Sequence, residues 1–93
     1  MIKSFANDIA RSAWRREYCK GFPQNLMRVA YRKLMHLHAA RTLNDLRSPP
    51  GNRLEALKGD RAGRHSIRIN RQWRICFLWR DGDAHEVEIV DYH

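Results

Sequence analysis

Apolar residues in the first half of the chain recur at the spacing of helices. Residues 2–5 alternate apolar and polar side chains and predict a short opening strand. Asn7 or Asp8 can cap a helix that runs to about residue 20, where Lys20-Gly21 ends it. A second helix is predicted over residues 24–40, because the following apolar positions keep the 3.6-residue period: Leu26, Ala30, Leu34 and Leu37.

The second half shows the two-residue period of strands instead. Residues 48–52 read Ser-Pro-Pro-Gly-Asn and mark a turn. Strands are expected to begin near residues 54–57 and to follow at 65–69, 73–80 and 85–91, with Asp81-Gly82 as a hairpin turn between the last two. An opening strand, two helices and a mostly antiparallel sheet of three to four strands define an α+β fold.

Length and composition restrict the class of protein further. With 93 residues, 43% of them apolar and 30% charged, we expect one globular domain over 1–93. No apolar run approaches the ~20 residues of a membrane span, and no secretory signal is visible, so we expect a cytoplasmic protein without a membrane partner. Cys19 and Cys76 lack disulfide or metal spacing and are expected to be buried, and neither a metal nor a cofactor is expected.

Charge is distributed unevenly along the chain. The formal net charge is +8; all eighteen Lys and Arg residues precede position 81, and residues 81–93 carry five acids. Five arginines fall between positions 61 and 74. Such a domain fits a polyanionic partner, most often nucleic acid, although a basic soluble surface explains the charge as well. Arg28, Arg32 and His36 form a helical stripe that is either a solvated face or a phosphate-contacting one.

The last predicted strand runs directly into Asp91-Tyr92-His93. Histidine carries protons near neutral pH, and a neighbouring Asp or Tyr can orient it. The alternative is a frayed polar chain end.

Arg74 occupies the strand face shared with Cys76 and Leu78, so its guanidinium is expected to be partly buried. A buried cation needs an anionic partner, which is either a carboxylate such as Asp91 or a bound phosphate. Together with Lys58, Arg61, Arg64 and Arg68, it forms a second candidate group.

The two groups together contain the parts that metal-free RNA cleavage requires. A base must deprotonate the 2′-hydroxyl, cations must stabilise the charged phosphorane, and an acid must protonate the leaving 5′-oxygen. His, Tyr and Asp opposite Lys and Arg supply these roles.

Three segments in this order resemble HigB-type toxins of the RelE superfamily, from type II toxin–antitoxin systems. They are Leu-Lys-Gly-Asp-Arg at 57–61, Trp-Arg-Ile at 73–75 and Asp-Tyr-His at 91–93. The resemblance covers nearly the whole chain and implies a compact RelE-like domain. It also implies cleavage of mRNA at the ribosomal A site, a helix-turn-helix antitoxin of the HigA type, and operator DNA bound only through the antitoxin complex.

The resemblance also assigns roles to residues. Lys58 and Arg74 would contact the scissile phosphate, His93 would transfer protons, Tyr92 would stack or transfer a proton, and Asp91 would orient its neighbours. Arg61, Arg64 and Arg68 are expected to contact RNA without belonging to a matched motif. The chain departs from the pattern at Glu55, where some members carry His; Glu55 is either a base or a surface carboxylate.

Two further functions stay open at this point. A basic module of this kind could occupy ribosomal RNA without catalysis and perturb translation or ribosome assembly. It could also serve only as a structural partner in an operator-binding complex.

Overall fold

The computed structural model describes residues 1–61 and 63–92. Within them, α1 (Asp8–Arg15) and α2 (Met27–Ala39) precede four strands. The strands are β1 (Glu55–Ala56), β2 (Arg64–Arg68), β3 (Trp73–Arg80) and β4 (Asp83–Asp91). Short 3₁₀ turns connect these elements. The α+β class expected from the pattern is confirmed.

The strands form one antiparallel sheet in the order β1-β2-β3-β4. β3 and β4 are joined by Asp81 and Gly82, whose φ angles are 54° and 78°. Two consecutive positive φ angles are what a type I′ hairpin turn requires, and Asp-Gly is a preferred pair for it. The predicted hairpin is therefore confirmed, and it sets the pairing of residues 78–80 with residues 83–85; the register of β3 and β4 shifts at an irregularity between Cys76 and Leu78.

Both helices pack on one face of the sheet, α1 mainly against β4. The core contains these apolar side chains, which are at most 1% exposed: Ala10, Ala13, Ala30, Leu34, Leu37, Leu46, Ile67, Ile75, Phe77, Ala84, Val87 and Ile89. Because successive strand residues point to opposite faces, the intervening residues of β2, β3 and β4 lie on the other face. That second face, which the helices do not cover, is called the open face below.

The N-terminal segment departs from the sequence prediction in two places. Residues 2–5 form only isolated parallel bridges, Ile2 to Ala84 and Phe5 to Val87, rather than a strand. α1 ends at Arg15 instead of near residue 20, because Arg16 turns left-handed (φ 57°) and its N–H caps the helix. The helix cap predicted at Asn7 is confirmed.

The segment between α2 and β1 is anchored by one buried side chain. Asn52 is 0% exposed. Its Nδ2 donates to the Leu46 carbonyl at 3.1 Å and lies 3.3 Å from Nδ1 of His36, while its Oδ1 accepts from the Lys33 ammonium. This network ties the chain just ahead of β1 to α2. Burial also lowers the pKa of the Lys33 ammonium.

No helix in the described part of the chain is both long and apolar enough to cross a membrane.

Replacing Asn7 with Ala tests how the helical layer is fastened to the sheet. Asn7 Oδ1 accepts from the Ala10 N–H at 3.0 Å and from the Ile89 N–H at 3.3 Å, and its Nδ2 donates to the Ile89 carbonyl at 2.9 Å. Losing these three contacts is expected to lower the free energy of unfolding by about 1–2 kcal/mol, measured by urea denaturation. The exposed Asn25→Ala variant should stay within about 0.5 kcal/mol of wild type; equal losses would contradict this assignment.

Candidate active site

The strand register places charged side chains together on the open face. Glu55, Ser66, Cys76 and Glu88 oppose one another across the four strands. In an adjacent row, Arg68 opposes Arg74 and Arg74 opposes Val90. Directly opposed residues share a face, so β3 contributes Arg74 and Cys76 to the open face while its alternate residues fill the core.

Arg74 is the centre of this face and is only 7% exposed. Its Nε donates to Ser66 Oγ at 2.8 Å. Its Nη2 donates to the Arg53 carbonyl at 2.5 Å and to the Ser66 carbonyl at 3.2 Å. One edge of the guanidinium is therefore held by β2 and by the segment that Asn52 anchors.

The other terminal nitrogen of Arg74 is less constrained. Nη1 lies 3.6 Å from Glu55 Oε1, which is longer than a hydrogen bond, and it makes no hydrogen bond within the described residues. The Glu55 side chain is 53% exposed. Sequence reasoning named Asp91 as a possible carboxylate partner, whereas the structure sets Glu55 against Arg74. Nη1 can thus donate to an added anion.

Tyr92 and Asp91 lie at the end of β4. The Tyr92 ring is 43% exposed, and its centroid lies 5.8 Å from Cζ of Arg74. Asp91 opposes Trp73, and its Oδ2 accepts from Gln72 Nε2 at 2.9 Å. The structure therefore brings Tyr92 to Arg74, and the Gln72 contact orients the Asp91 carboxylate. His93 lies outside the described residues.

Two of the five arginines between positions 61 and 74 are paired with acids of β4. Arg61 Nη2 contacts Glu88 Oε1 at 2.5 Å, and this hydrogen bond raises the pKa of the Arg61 guanidinium. Arg64 Nη2 lies 3.1 Å from Glu86 Oε1. The basic middle of the sequence and its acidic last strand therefore meet on the open face as ion pairs.

Arg68 and Lys58 complete the predicted set. Arg68 Nε donates to the Asn70 carbonyl at 3.0 Å. Lys58 is exposed in the connection between β1 and β2.

Sequence reasoning did not name Ser66 or the Arg53 carbonyl, which hold Arg74. The two-residue period of the strands puts Ser66 and Arg74 on the same face of the sheet. Only the register of β2 against β3 shows that they are neighbours.

Cys76 is buried on the open face. It is 0% exposed and opposes Glu88, the partner of Arg61, so the Arg61–Glu88 ion pair lies over it. Burial raises the pKa of the Cys76 thiol. Cys19, which was expected to be buried as well, is partly exposed instead, because α1 ends four residues before it.

The described residues contain no group of three or more His, Cys, Asp or Glu side chains that could hold a metal ion. The groups that face a ligand on the open face are cations, one aromatic ring and carboxylates, which suits an anion better than a cation.

Solved structures place this architecture in a known class. The chain superposes on the crystal structure of YafQ from E. coli strain BL21(DE3) with a TM-score of 0.57 and 14% identity, over 98% of this chain and 91% of that one. The chain therefore shares the fold of YafQ.

The chain belongs to the HigB-like family, described as RelE-like toxins of type II toxin–antitoxin systems; the family model matches residues 3–93. Toxin HigB-1 of Vibrio cholerae is 48% identical over 62 residues, which is 67% of this chain and 65% of the length of that relative. Endoribonuclease HigB of Proteus vulgaris is 34% identical over 94 residues and the full length of both chains.

Thiol modification tests the ion pair over Cys76. In a Cys19→Ser background, iodoacetamide should react slowly with Cys76 at neutral pH, because the thiol is covered and its raised pKa keeps thiolate scarce. The rate should rise with pH as the thiolate forms. Arg61→Ala removes the cover but also a cation that lowers the pKa of the Cys76 thiol, so the rates are compared at a pH where the thiol is ionised in both proteins. There Arg61→Ala should react severalfold faster, measured by mass spectrometry, whereas Arg71→Ala, an exposed control, should not. Modification as fast as in the unfolded chain would contradict the arrangement.

Proposed function

We propose that this protein is an endoribonuclease toxin that cleaves mRNA and thereby inhibits translation. The observation that carries the proposal is the Arg74 guanidinium, which is held from one side on the open face, with Nη1 turned to Glu55 and the ring of Tyr92 beside it. Membership in the HigB-like family supports it, as does the name of the Proteus relative.

Arg74 and Lys58 bind the scissile phosphate. Arg74 is pre-positioned because Ser66 and the Arg53 carbonyl fix its orientation before any ligand arrives. Donors that are already oriented stabilise the charge that develops on the phosphorane without reorganising in the transition state. Lys58 adds a second positive charge from the exposed β1–β2 connection.

Proton transfer falls to the groups at the end of β4 and to Glu55. His93 protonates the leaving 5′-oxygen, and Asp91 orients its neighbours. Tyr92, close to Arg74, stacks on a base or relays a proton. Glu55 stands 3.6 Å from Arg74 and is half exposed, so it can accept the proton of the attacking 2′-hydroxyl. Protein groups thus cover every step, and the reaction as proposed needs no metal ion.

Arg61, Arg64 and Arg68 bind the flanking RNA strand. Arg61 and Arg64 are paired with Glu88 and Glu86 in the free protein, so RNA phosphates must exchange with these carboxylates. Replacing a carboxylate by a phosphate at an exposed arginine gains little net free energy, because both partners are anions. These arginines therefore contribute modestly to affinity and set the path of the strand.

The partners follow from the family and the charge. A helix-turn-helix antitoxin of the HigA type neutralises the toxin, and operator DNA is bound only through that complex. The mRNA is cut at the ribosomal A site in the cytoplasm, and residues 1–93 act as a single toxin domain.

Mapping mRNA ends tests the catalytic function. After brief induction without antitoxin, primer extension should reveal new 5′ ends inside translated reading frames for wild type. Arg74→Ala and His93→Gln should remove these ends, a loss of at least about 100-fold in cleavage, while the exposed Arg80→Ala variant should keep them. Circular dichroism must show that both inactive variants are folded. Growth arrest without new ends would instead support a non-catalytic ribosome binder.

The salt dependence of RNA binding tests the phosphate contacts separately. The logarithm of the association constant should fall linearly with the logarithm of salt concentration, each phosphate contact adding about 0.7 to the slope for single strands. Lys58→Ala and Arg74→Ala should each lower that slope, measured by fluorescence anisotropy of a labelled RNA, relative to Arg80→Ala. An unchanged slope in either variant would remove that residue from the phosphate site.

A further inference from the structure

A pocket of about 490 Å³ lies on the helical side of the molecule, away from the open face. It is formed where the chain leaves α1 and where α2 begins, and its walls include Arg16, Tyr18, Arg28 and Tyr31. Its volume falls within the about 300–1,000 Å³ that small-molecule sites occupy. None of the roles assigned above uses these residues.

The pocket walls combine aromatic rings with cations. Cζ of Arg16 lies 4.9 Å from the ring centroid of Tyr31, and the ring centroids of Trp14 and Tyr31 are 5.9 Å apart at an interplanar angle of 36°. Tyr18 is 71% exposed, although tyrosine is a large aromatic residue. The Tyr18 ring is therefore available to stack on a planar ligand, and the Arg16–Tyr31 pair forms a fixed wall beside it.

The backbone at Arg16 keeps its side chain in this position. Arg16 has φ 57° and caps α1 with its N–H, a position that glycine fills most readily. An arginine placed there sends its guanidinium over Tyr31. Glu17, the next residue, adds a carboxylate to the pocket, which can accept from the N–H groups on the edge of a base.

We propose that this pocket binds a single unstacked nucleotide of a structured RNA. The base stacks on the exposed Tyr18 ring beside the Arg16–Tyr31 pair, its edge meets Glu17, and Arg28 contacts the phosphate. Recognition of splayed bases by aromatic and arginine planes is the usual mode for single-stranded RNA elements. The proposal deepens the proposed function, on which it rests for the identity of the RNA partner.

The surroundings favour a polymeric anion over a small acidic metabolite. The exposed cations around the pocket extend beyond its walls: Arg15, Lys20 and Arg32. Arg28 and Arg32 belong to the helical stripe whose role the sequence left open. A metabolite would need only the pocket, whereas a nucleic-acid backbone engages charges along its path. The protein then binds substrate RNA on the open face and a second RNA segment on the helical side.

A titration of the ¹⁵N-labelled protein with each of the four ribonucleoside 5′-monophosphates tests the pocket directly. The amide signals of residues 16–18 and 27–31 should shift in a saturable manner with at least one nucleotide, and inorganic phosphate at equal concentration should shift them less. Shifts confined to residues of the open face, or equal shifts with phosphate alone, would overturn the proposal.

Affinity for purified ribosomes tests the role of the pocket in the larger complex. Tyr18→Ala should weaken binding by about tenfold, the loss of one base stack, and Tyr18→Phe should restore it because the ring is retained. Tyr18 is exposed, so its removal should not affect folding. Asn25→Ala, a neighbouring exposed and neutral change outside the pocket walls, is the matched control and should bind like wild type.

The outcomes separate this proposal from the proposed function. If wild type cleaves mRNA and Tyr18→Ala binds ribosomes normally, the nucleotide pocket is wrong and the endonuclease stands. If wild type neither cleaves mRNA nor binds ribosomes, the endonuclease is wrong, and saturable nucleotide shifts at residues 16–18 still support the pocket. A Tyr18→Ala variant that loses antitoxin binding but keeps ribosome binding identifies a protein-docking site and overturns the nucleotide proposal.

Discussion

The burial of one positive charge, the Arg74 guanidinium, determines how the open face is built. An unpaired cation at 7% exposure would cost several kcal/mol, so the fold must supply acceptors around it. Ser66 supplies two from β2, and the Arg53 carbonyl supplies one from the segment ahead of β1. That segment is in turn fixed by the buried Asn52. A side chain on β3 therefore depends on contacts reaching back to α2.

Successive side chains of β3 point to opposite faces of the sheet, so this one strand contributes both to the core and to the candidate site. Ile75 and Phe77 face the helices and are fully buried, while Arg74 and Cys76 face the other way. A substitution that shifted the register by one residue would move charges into the core and apolar groups onto the open face. The hairpin turn at Asp81 and Gly82 fixes the pairing of β3 and β4 next to it, and the irregularity between Cys76 and Leu78 resets the register at which Arg74 and Cys76 face β4.

The sequence was sufficient to predict which face of the sheet each strand residue occupies. It was not sufficient to predict which residues are neighbours on adjacent strands. Alternation predicted that Arg74 would be buried with Cys76. It could not predict Glu55 rather than Asp91 as the nearby carboxylate, because these positions lie 19 and 17 residues from Arg74 and only the strand register separates them. Arg61 and Glu88 are similarly distant, 27 residues apart. α1 ended early because a left-handed arginine replaced the expected glycine stop, which no periodicity reveals.

The ion pairs of the open face bear on how the proposed RNA substrate binds. Glu86 and Glu88 hold Arg64 and Arg61 in the free protein, so a passing polyanion meets arginines that are already paired. Displacing a carboxylate by a phosphate yields little net energy unless the strand is held in register by other contacts. In the proposed endonuclease, Arg74 is buried and the outer arginines are already paired with carboxylates, so an RNA strand gains most from them when other contacts have aligned it. Positioning of the strand, rather than charge alone, therefore determines binding at the proposed site.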